Sequence, residues 1–284
     1  MRIGLVVDRL RPEEKFLIEE AKNNNVDLEI IDSSTEMFSI TDFKQHNFSH
    51  IDVFLQRCVS TLRGLYIARI LEEYGFQVIN DFNSSSNCID KIHCSIKLAK
   101  ANVPTPETIV GFTEHSALNA IKKLEYPVIL KPVYGSWARL VAKINDEDAA
   151  KSIIEDRESM GAWYGILYLQ KFVNKPNRDL RVTVIDGEPI AAIYRVNDSA
   201  DWRTNTARGA KAQICEITPR IKELSINASN AMGEGIFGVD LMEQEQDFVV
   251  HEVNHSPEFR NVQTITGINV AGKIIEYAKE VGKK

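Results

Sequence analysis

Residues 233–260, GEGIFGVDLMEQEQDFVVHEVNHSPEFR, constrain this chain more than any other stretch, because they admit two incompatible metal readings. His251, Glu252 and His255 spell H-E-x-x-H, which serves zinc only on a helix, where both histidines share one face. Val249, Val250 and Val253 are β-branched, Pro257 cuts the segment short, and no capping residue leads in, so a helix is disfavoured. Two apolar-rich runs, 236–242 and 248–254, flank the polar stretch 243–247 and predict a β-hairpin. Strict alternation puts Phe248, Val250, Glu252 and Asn254 on one face, and a turn centred on Glu245 pairs Asp240 with Val250, diagonal to Glu252. Asp240, Glu252 and Asn254 then offer hard oxygen ligands suited to Mg²⁺. The alternative is a hairpin whose acids are simply solvated on its outer face.

The rest of the composition narrows the class. A chain of 284 residues, 44% hydrophobic and 26% charged, can bury a core in one large unit or in two to three lobes. No apolar run approaches the roughly 18–20 residues of a membrane span, and the N-terminus reads as a strand rather than a signal peptide. The net charge of −6 leaves no basic footprint for nucleic acid. Cys58, Cys88, Cys94 and Cys215 lack a metal-ligand spacing. A cytoplasmic protein with neither nucleic-acid nor membrane partners is expected.

In chain order, strands are expected at 2–7, 28–31, 51–55 and 77–79, with helices at 12–22 and 61–74. This alternation predicts a doubly wound parallel sheet in a first lobe, 1–85, of an α/β protein. It lacks G-x-G-x-x-G, so a dinucleotide site is unsupported. One long helix over 84–101 opens a small central lobe, 86–166, with helices at 115–124 and 146–158 and strands at 127–131 and 139–143. A C-terminal lobe, 167–284, is strand-rich: 167–172, 180–185, 190–194 and the hairpin, interrupted by a helix over 220–232.

Lys131 leaves its strand into a loop, KPVYGSWAR, whose lysine and amides could hold phosphate oxygens, or which could be a plain turn. Lys91 reads as a second phosphate lysine or, taken in isolation, as a solvated lysine on a helix. Arg178, Arg181, Arg195, Arg203, Arg208 and Arg260 are guanidinium forks suited to carboxylates and to a developing acyl phosphate, with Arg181 and Arg208 the candidate catalytic pair. No Ser-His-Asp or Cys-His arrangement stands out. Lysines, oxygen ligands and arginines together fit phosphoryl transfer, where charge neutralisation does most of the catalysis.

The segments DRLRP (8–12), QRCVS (56–60), KPV with GSW (131–137), KPNRD (175–179), TNTARG (204–209) and EVNH with EF (252–259) resemble the RimK/LysX branch of the ATP-grasp ligases, on its LysX side. The resemblance spans nearly the whole chain. It implies an ATP-grasp fold behind a pre-ATP-grasp domain, and an ATP- and Mg²⁺-dependent carboxylate–amine ligase. Lys91, Lys131 and the loop of Gly135, Ser136, Trp137, Ala138 and Arg139 are implied to hold ATP phosphates. Gln170, Lys171, Phe172 and Val173 are implied to line the adenine pocket, with Arg178 and Asn205 also on the nucleotide. Arg195, Thr206, Ala207, Ser256, Pro257, Glu258, Phe259 and Arg260 map to the amino-acid pocket. The implied partners are α-aminoadipate or glutamate and the carrier protein LysW, in a step of lysine or arginine biosynthesis, with self-association as a dimer or tetramer. Lys171 in place of glutamate and Ala138 in place of glycine depart from the pattern.

Overall fold

The computed structural model describes residues 1–44, 46–135, 137–199, 201–204 and 209–283. The first four strands, β1 (Arg2–Val7), β2 (Asp27–Asp32), β3 (Val53–Gln56) and β4 (Gln77–Ile79), form an all-parallel sheet in the order β2-β1-β3-β4. β3 is buried along its length, as expected when helices cover both faces of a parallel strand. Helix α1 (Pro12–Asn23) covers one face and α2 (Thr61–Glu73) the other. The chain order reverses between β1 and β3, and a ligand crevice is expected beyond the carboxyl ends of strands at such a point. There Asp8, after β1, accepts the Val59 and Ser60 amides at 2.8 and 2.9 Å and ties the two loops together.

The long helix expected over 84–101 is two helices, α3 (Phe82–Ile89) and α4 (Lys91–Lys100). Asp90 breaks it: its backbone is extended, and its carboxylate accepts the Ile92 and His93 amides at 2.8 and 3.0 Å, so it caps α4. That break places Lys91 at the first position of α4. The other Asp90 carboxylate oxygen accepts the Tyr134 hydroxyl at 2.8 Å. Asp90→Ala should therefore cost about 1 kcal/mol of stability in a melt, and should also release the loop after Lys131 that Tyr134 anchors.

A four-stranded antiparallel sheet follows, in the order β5-β8-β6-β7, from β5 (Thr108–Gly111), β6 (Val128–Lys131), β7 (Ala142–Ile144) and β8 (Leu167–Lys171). Helices α5 (Glu114–Leu124) and α6 (Glu147–Ser159) pack against it. The small lobe thus takes β8 from beyond residue 166, between β5 and β6, and β5 was not expected from the sequence.

The large sheet is antiparallel, in the order β11-β10-β9-β12-β13, from β9 (Arg178–Ile185), β10 (Glu188–Val196), β11 (Lys211–Ile214), β12 (Ile236–Gln244) and β13 (Asp247–Asn254). One face, with Leu180, Val182, Phe237, Val239, Val250 and Val253, packs on α7 (Pro219–Met232), α3 and α4. The other faces a cleft. Helices α8 (Arg260–Thr266) and α9 (Val270–Val281) return to the first lobe, where Ile274, Ile275 and Ala278 share a core with Leu17, Val53 and Leu55.

The hairpin forms as expected, but its register differs from the simple one. Gln244 pairs with Asp247 across a two-residue turn, and a β-bulge between Asp240 and Leu241 leaves His251 as the extra residue of β13. The bulge switches which residues face the core. Val250 pairs with Leu241 on the core side, while Asp240 stands directly opposite Glu252, and Gly238 opposite Asn254, on the cleft side. The expectation that Val250 shares the face of Glu252 is corrected by this extra residue. Gly238 is required: a Cβ there would meet Pro257 Cβ at 2.9 Å and Arg181 Cδ at 3.1 Å.

Candidate active site

A cleft of about 650 Å³ opens where the three sheets converge. Its described lining carries nine Lys and Arg side chains against five carboxylates, in a chain whose total charge is −6. An excess of cations in a recess draws anionic ligands and excludes a generic apolar one.

At one end stand the two lysines. Lys131, the last residue of β6, is buried and donates to Gln170 Oε1 at 2.7 Å; Gln170 is oriented in turn by donating to Thr108 Oγ1 and the Tyr168 hydroxyl at 3.0 and 3.1 Å. Burial pushes the Lys131 ammonium down to about 8, against the pull of Glu252. Lys91 donates to the Gly135 carbonyl at 2.9 Å and lies 3.5 Å from Glu252 Oε1. The loop between Lys131 and β7 carries positive φ at Gly135, Trp137, Ala138 and Leu140. Arg139 stacks 4.8 Å over the Trp137 ring, and Gly135, Trp137, Ala138 and Arg139 all line the cleft.

The floor is a charge ladder across β10, β9 and β12, set by strand register. Arg195 pairs with Asp179 and Arg181 with Asp240. Arg195 donates to Asp179 at 2.6 Å and has a guanidinium nitrogen 3.1 Å from Asp240. Arg181 holds both oxygens of Asp240, and Thr204 donates to Asp179 at 2.5 Å. Burial alone would raise the Asp240 carboxyl, but Arg181 and Arg195 hold it well below the usual range. Burial would likewise lower the Arg195 guanidinium, and Asp179 and Asp240 overcome it and raise it. Asp240 and Glu252 face one another across the ladder, with Asn254 donating weakly to Asp240 at 3.4 Å. An ionised carboxylate, a second carboxylate and an amide on one cleft face are a donor set that fits a hard divalent cation.

Several expected site residues lie elsewhere. Arg178 forks onto Glu243 at 2.6 and 2.7 Å and stacks 4.2 Å over Tyr194, away from the cleft. Phe259 is fully buried in the core beneath Arg57, at 5.6 Å, so it is a packing residue rather than a pocket wall. Gln170, Lys171, Phe172 and Val173 are not on the cleft wall; Phe172 sits under Lys143 at 3.8 Å and beside Trp202 at 6.0 Å. Ser256, Pro257, Glu258 and Arg260 do line the cleft. Ser136, Asn205, Thr206, Ala207 and Arg208 fall outside the described residues.

The structure adds residues the sequence did not single out. Asp179 anchors the ladder, and Lys175 donates to the Arg178 carbonyl and Thr204 at 2.9 and 3.2 Å. Arg11 and Glu13 bring the first lobe to the cleft, with Glu13 accepting the Arg260 amide at 3.1 Å. His251, displaced by the bulge, lines the cleft with neither ring nitrogen hydrogen-bonded, and burial keeps it neutral. The H-E-x-x-H spelling therefore lies on a strand, without the helical spacing zinc requires.

A depressed lysine pKa has a signed consequence. Below pH 8 Lys131 is charged and ready for phosphate; above it the free enzyme must take up a proton to bind. Polyphosphate affinity should weaken above pH 8 by up to about tenfold per unit, with proton uptake visible by calorimetry in buffers of different ionisation enthalpy. A flat profile to pH 9.5 would mean that Lys131 stays charged in the free enzyme and that burial does not depress it.

The chain matches the RimK-like ATP-grasp domain over residues 88–278 and the LysX preATP-grasp domain over residues 3–86. It is 41% identical over 276 residues to the alpha-aminoadipate–LysW ligase LysX of Saccharolobus solfataricus, covering 96% of this chain and 99% of that one. It is 33% identical over 281 residues to the glutamate–LysW ligase ArgX of Sulfolobus acidocaldarius, covering 98% of each. The solved structure of a RimK domain ATP-grasp protein from Sphaerobacter thermophilus shares the fold, with a TM-score of 0.78 and 24% identity over 98% of this chain and 100% of that one. No described helix is long and apolar enough to cross a membrane.

Proposed function

The chain belongs to the RimK-like ATP-grasp family of ATP-using ligases, and from that premise we propose that it joins α-aminoadipate to a LysW-type carrier protein, an amino-protecting step of lysine biosynthesis. The carrying observation is the 41% full-length identity to the LysX ligase, against 33% to the ArgX ligase. The cleft chemistry supports it, because every substrate is an anion: nucleotide, dicarboxylic amino acid and the carrier's C-terminal glutamate.

In this reading the carrier's γ-carboxylate attacks the terminal phosphorus of ATP, the bond to ADP breaks, and an acyl phosphate forms. The α-amine then attacks the acyl carbon and gives up a proton, and inorganic phosphate leaves with the amide formed. Lys131 and Lys91 hold phosphate oxygens, Lys131 being presented by Gln170. The loop from Gly135 to Arg139 covers them, and Arg195, Ser256 and Arg260 receive the amino acid's carboxylates. Asp240, Glu252 and Asn254 would hold Mg²⁺, which when bound neutralises phosphate charge during transfer.

Glutamate is the second reading, favoured by the full-length match to ArgX. The two amino acids differ by one methylene, worth only about 1–3 kcal/mol in a pocket. ADP release at fixed carrier and Mg²⁺-ATP should give a larger kcat/KM with α-aminoadipate. A larger value with glutamate transfers the assignment to the second reading.

A further inference from the structure

The oxygen donors assigned to Mg²⁺ are already engaged by cations. Asp240 is forked by Arg181 and lies 3.1 Å from a guanidinium nitrogen of Arg195. Glu252 lies 3.5 Å from the Lys91 ammonium. In formal charge, Arg181, Arg195, Lys91 and Lys131 stand against Asp179, Asp240 and Glu252, which is four positive against three negative. A divalent cation arriving alone meets a cluster of net charge of the wrong sign, at distances where like charges repel strongly.

The cations are not equally fixed. Arg195 is locked by a second carboxylate, Asp179, at 2.6 Å, and Lys131 by Gln170 at 2.7 Å. Among the described residues Arg181 is hydrogen-bonded to Asp240 alone, and its partly exposed side chain reaches the cleft. A guanidinium fork fits phosphate as well as carboxylate, so Arg181 can exchange one bidentate partner for the other.

We propose that Arg181 is a resident counter-ion that closes the metal position until nucleotide phosphates arrive, then moves from Asp240 to phosphate. The divalent cation then enters with the nucleotide and not before it. Polyphosphate supplies the negative charge that reverses the local balance, and Arg181 leaves Asp240 at the moment Asp240 is needed. The inference rests on Asp240, Glu252 and Asn254 being the metal ligands, and its test does not depend on ligation.

The test is Mn²⁺ titration of the nucleotide-free enzyme, followed by the electron paramagnetic resonance signal of free Mn²⁺. Arg181→Gln should bind Mn²⁺ at least about tenfold more tightly than wild type, because one unit charge a few ångströms from the ion is removed. Arg181→Lys, which keeps the charge, should stay near wild type, and adding Asp240→Asn to Arg181→Gln should erase the gain. In wild type, saturating ADP should raise Mn²⁺ affinity by a larger factor than it does in Arg181→Gln, each protein being compared with itself without nucleotide. Equal Mn²⁺ affinity in wild type and Arg181→Gln, or an equal ADP effect in both, would overturn the proposal. A gain that survives Asp240→Asn would overturn the ligand assignment beneath it.

Discussion

Replacing Glu252 with alanine should lower ligation by at least about a hundredfold to a thousandfold, the scale of losing a preorganised group that stabilises transition-state charge. Glu252 stands opposite Asp240 in the hairpin and 3.5 Å from Lys91, so it belongs to both the proposed metal site and the proposed phosphate-lysine pair. The fold should survive the change. The side chain is about a quarter exposed, its ion pair with Lys91 is long, and Lys91 keeps its hydrogen bond to the Gly135 carbonyl. The expected signature is an unchanged melting temperature with ligation lost, and Glu252→Gln should be nearly as inactive because it keeps the shape but not the charge. Ligation at the normal rate in Mg²⁺ would remove Glu252 from the metal site.

Arg195→Leu should behave in the opposite way, with stability falling along with activity. Arg195 is buried between Asp179 and Asp240, and its removal leaves Asp179 with only the Thr204 hydroxyl among the contacts described, while Asp240 keeps Arg181. Removing one partner of a buried pair costs about 3–5 kcal/mol, because the remaining charge loses its compensation. For a lobe of this size that is a fall in melting temperature on the order of 10 °C. Asp179→Asn should lose less, since an amide oxygen can still accept from Arg195. A melt unchanged by Arg195→Leu would mean that the ladder carries no stability.

Much of this architecture can be read from local patterns, and the exceptions have physical causes. The parallel first sheet follows from strands and helices in alternation, and the hairpin from two apolar runs around a polar turn. The proposed metal ligands Asp240, Glu252 and Asn254 were legible as a set, but their facing was not. One extra residue at His251 inverts the alternation, and no local signal marks where a strand will bulge. Arg178 and Arg181 could have been separated, because residues three apart on a strand point to opposite faces, and the structure puts only Arg181 in the cleft. Helix α9 was not among the expected elements, although Val270, Ala271, Ile274, Ile275 and Ala278 are spaced helically and are buried. The break at Asp90 could be read only by weighing its capping preference against the strong helical pattern around it. Resemblance alone places Phe259 in the pocket, and only the tertiary packing of α1, β3 and α9 shows it to be core. Asp179 gains its importance from pairing with Arg195 across the β9–β10 hairpin, and Lys175 from its reach to Thr204, neither of which residue spacing alone encodes.

The most direct test of the account is intact-mass measurement of a LysW-type carrier after incubation with this enzyme, Mg²⁺-ATP and each amino acid in turn. The account predicts a carrier heavier by one amino acid less water, formed only when ATP is present, and formed faster with α-aminoadipate than with glutamate. A carrier left unchanged by both amino acids, while the enzyme binds ATP normally, would contradict it.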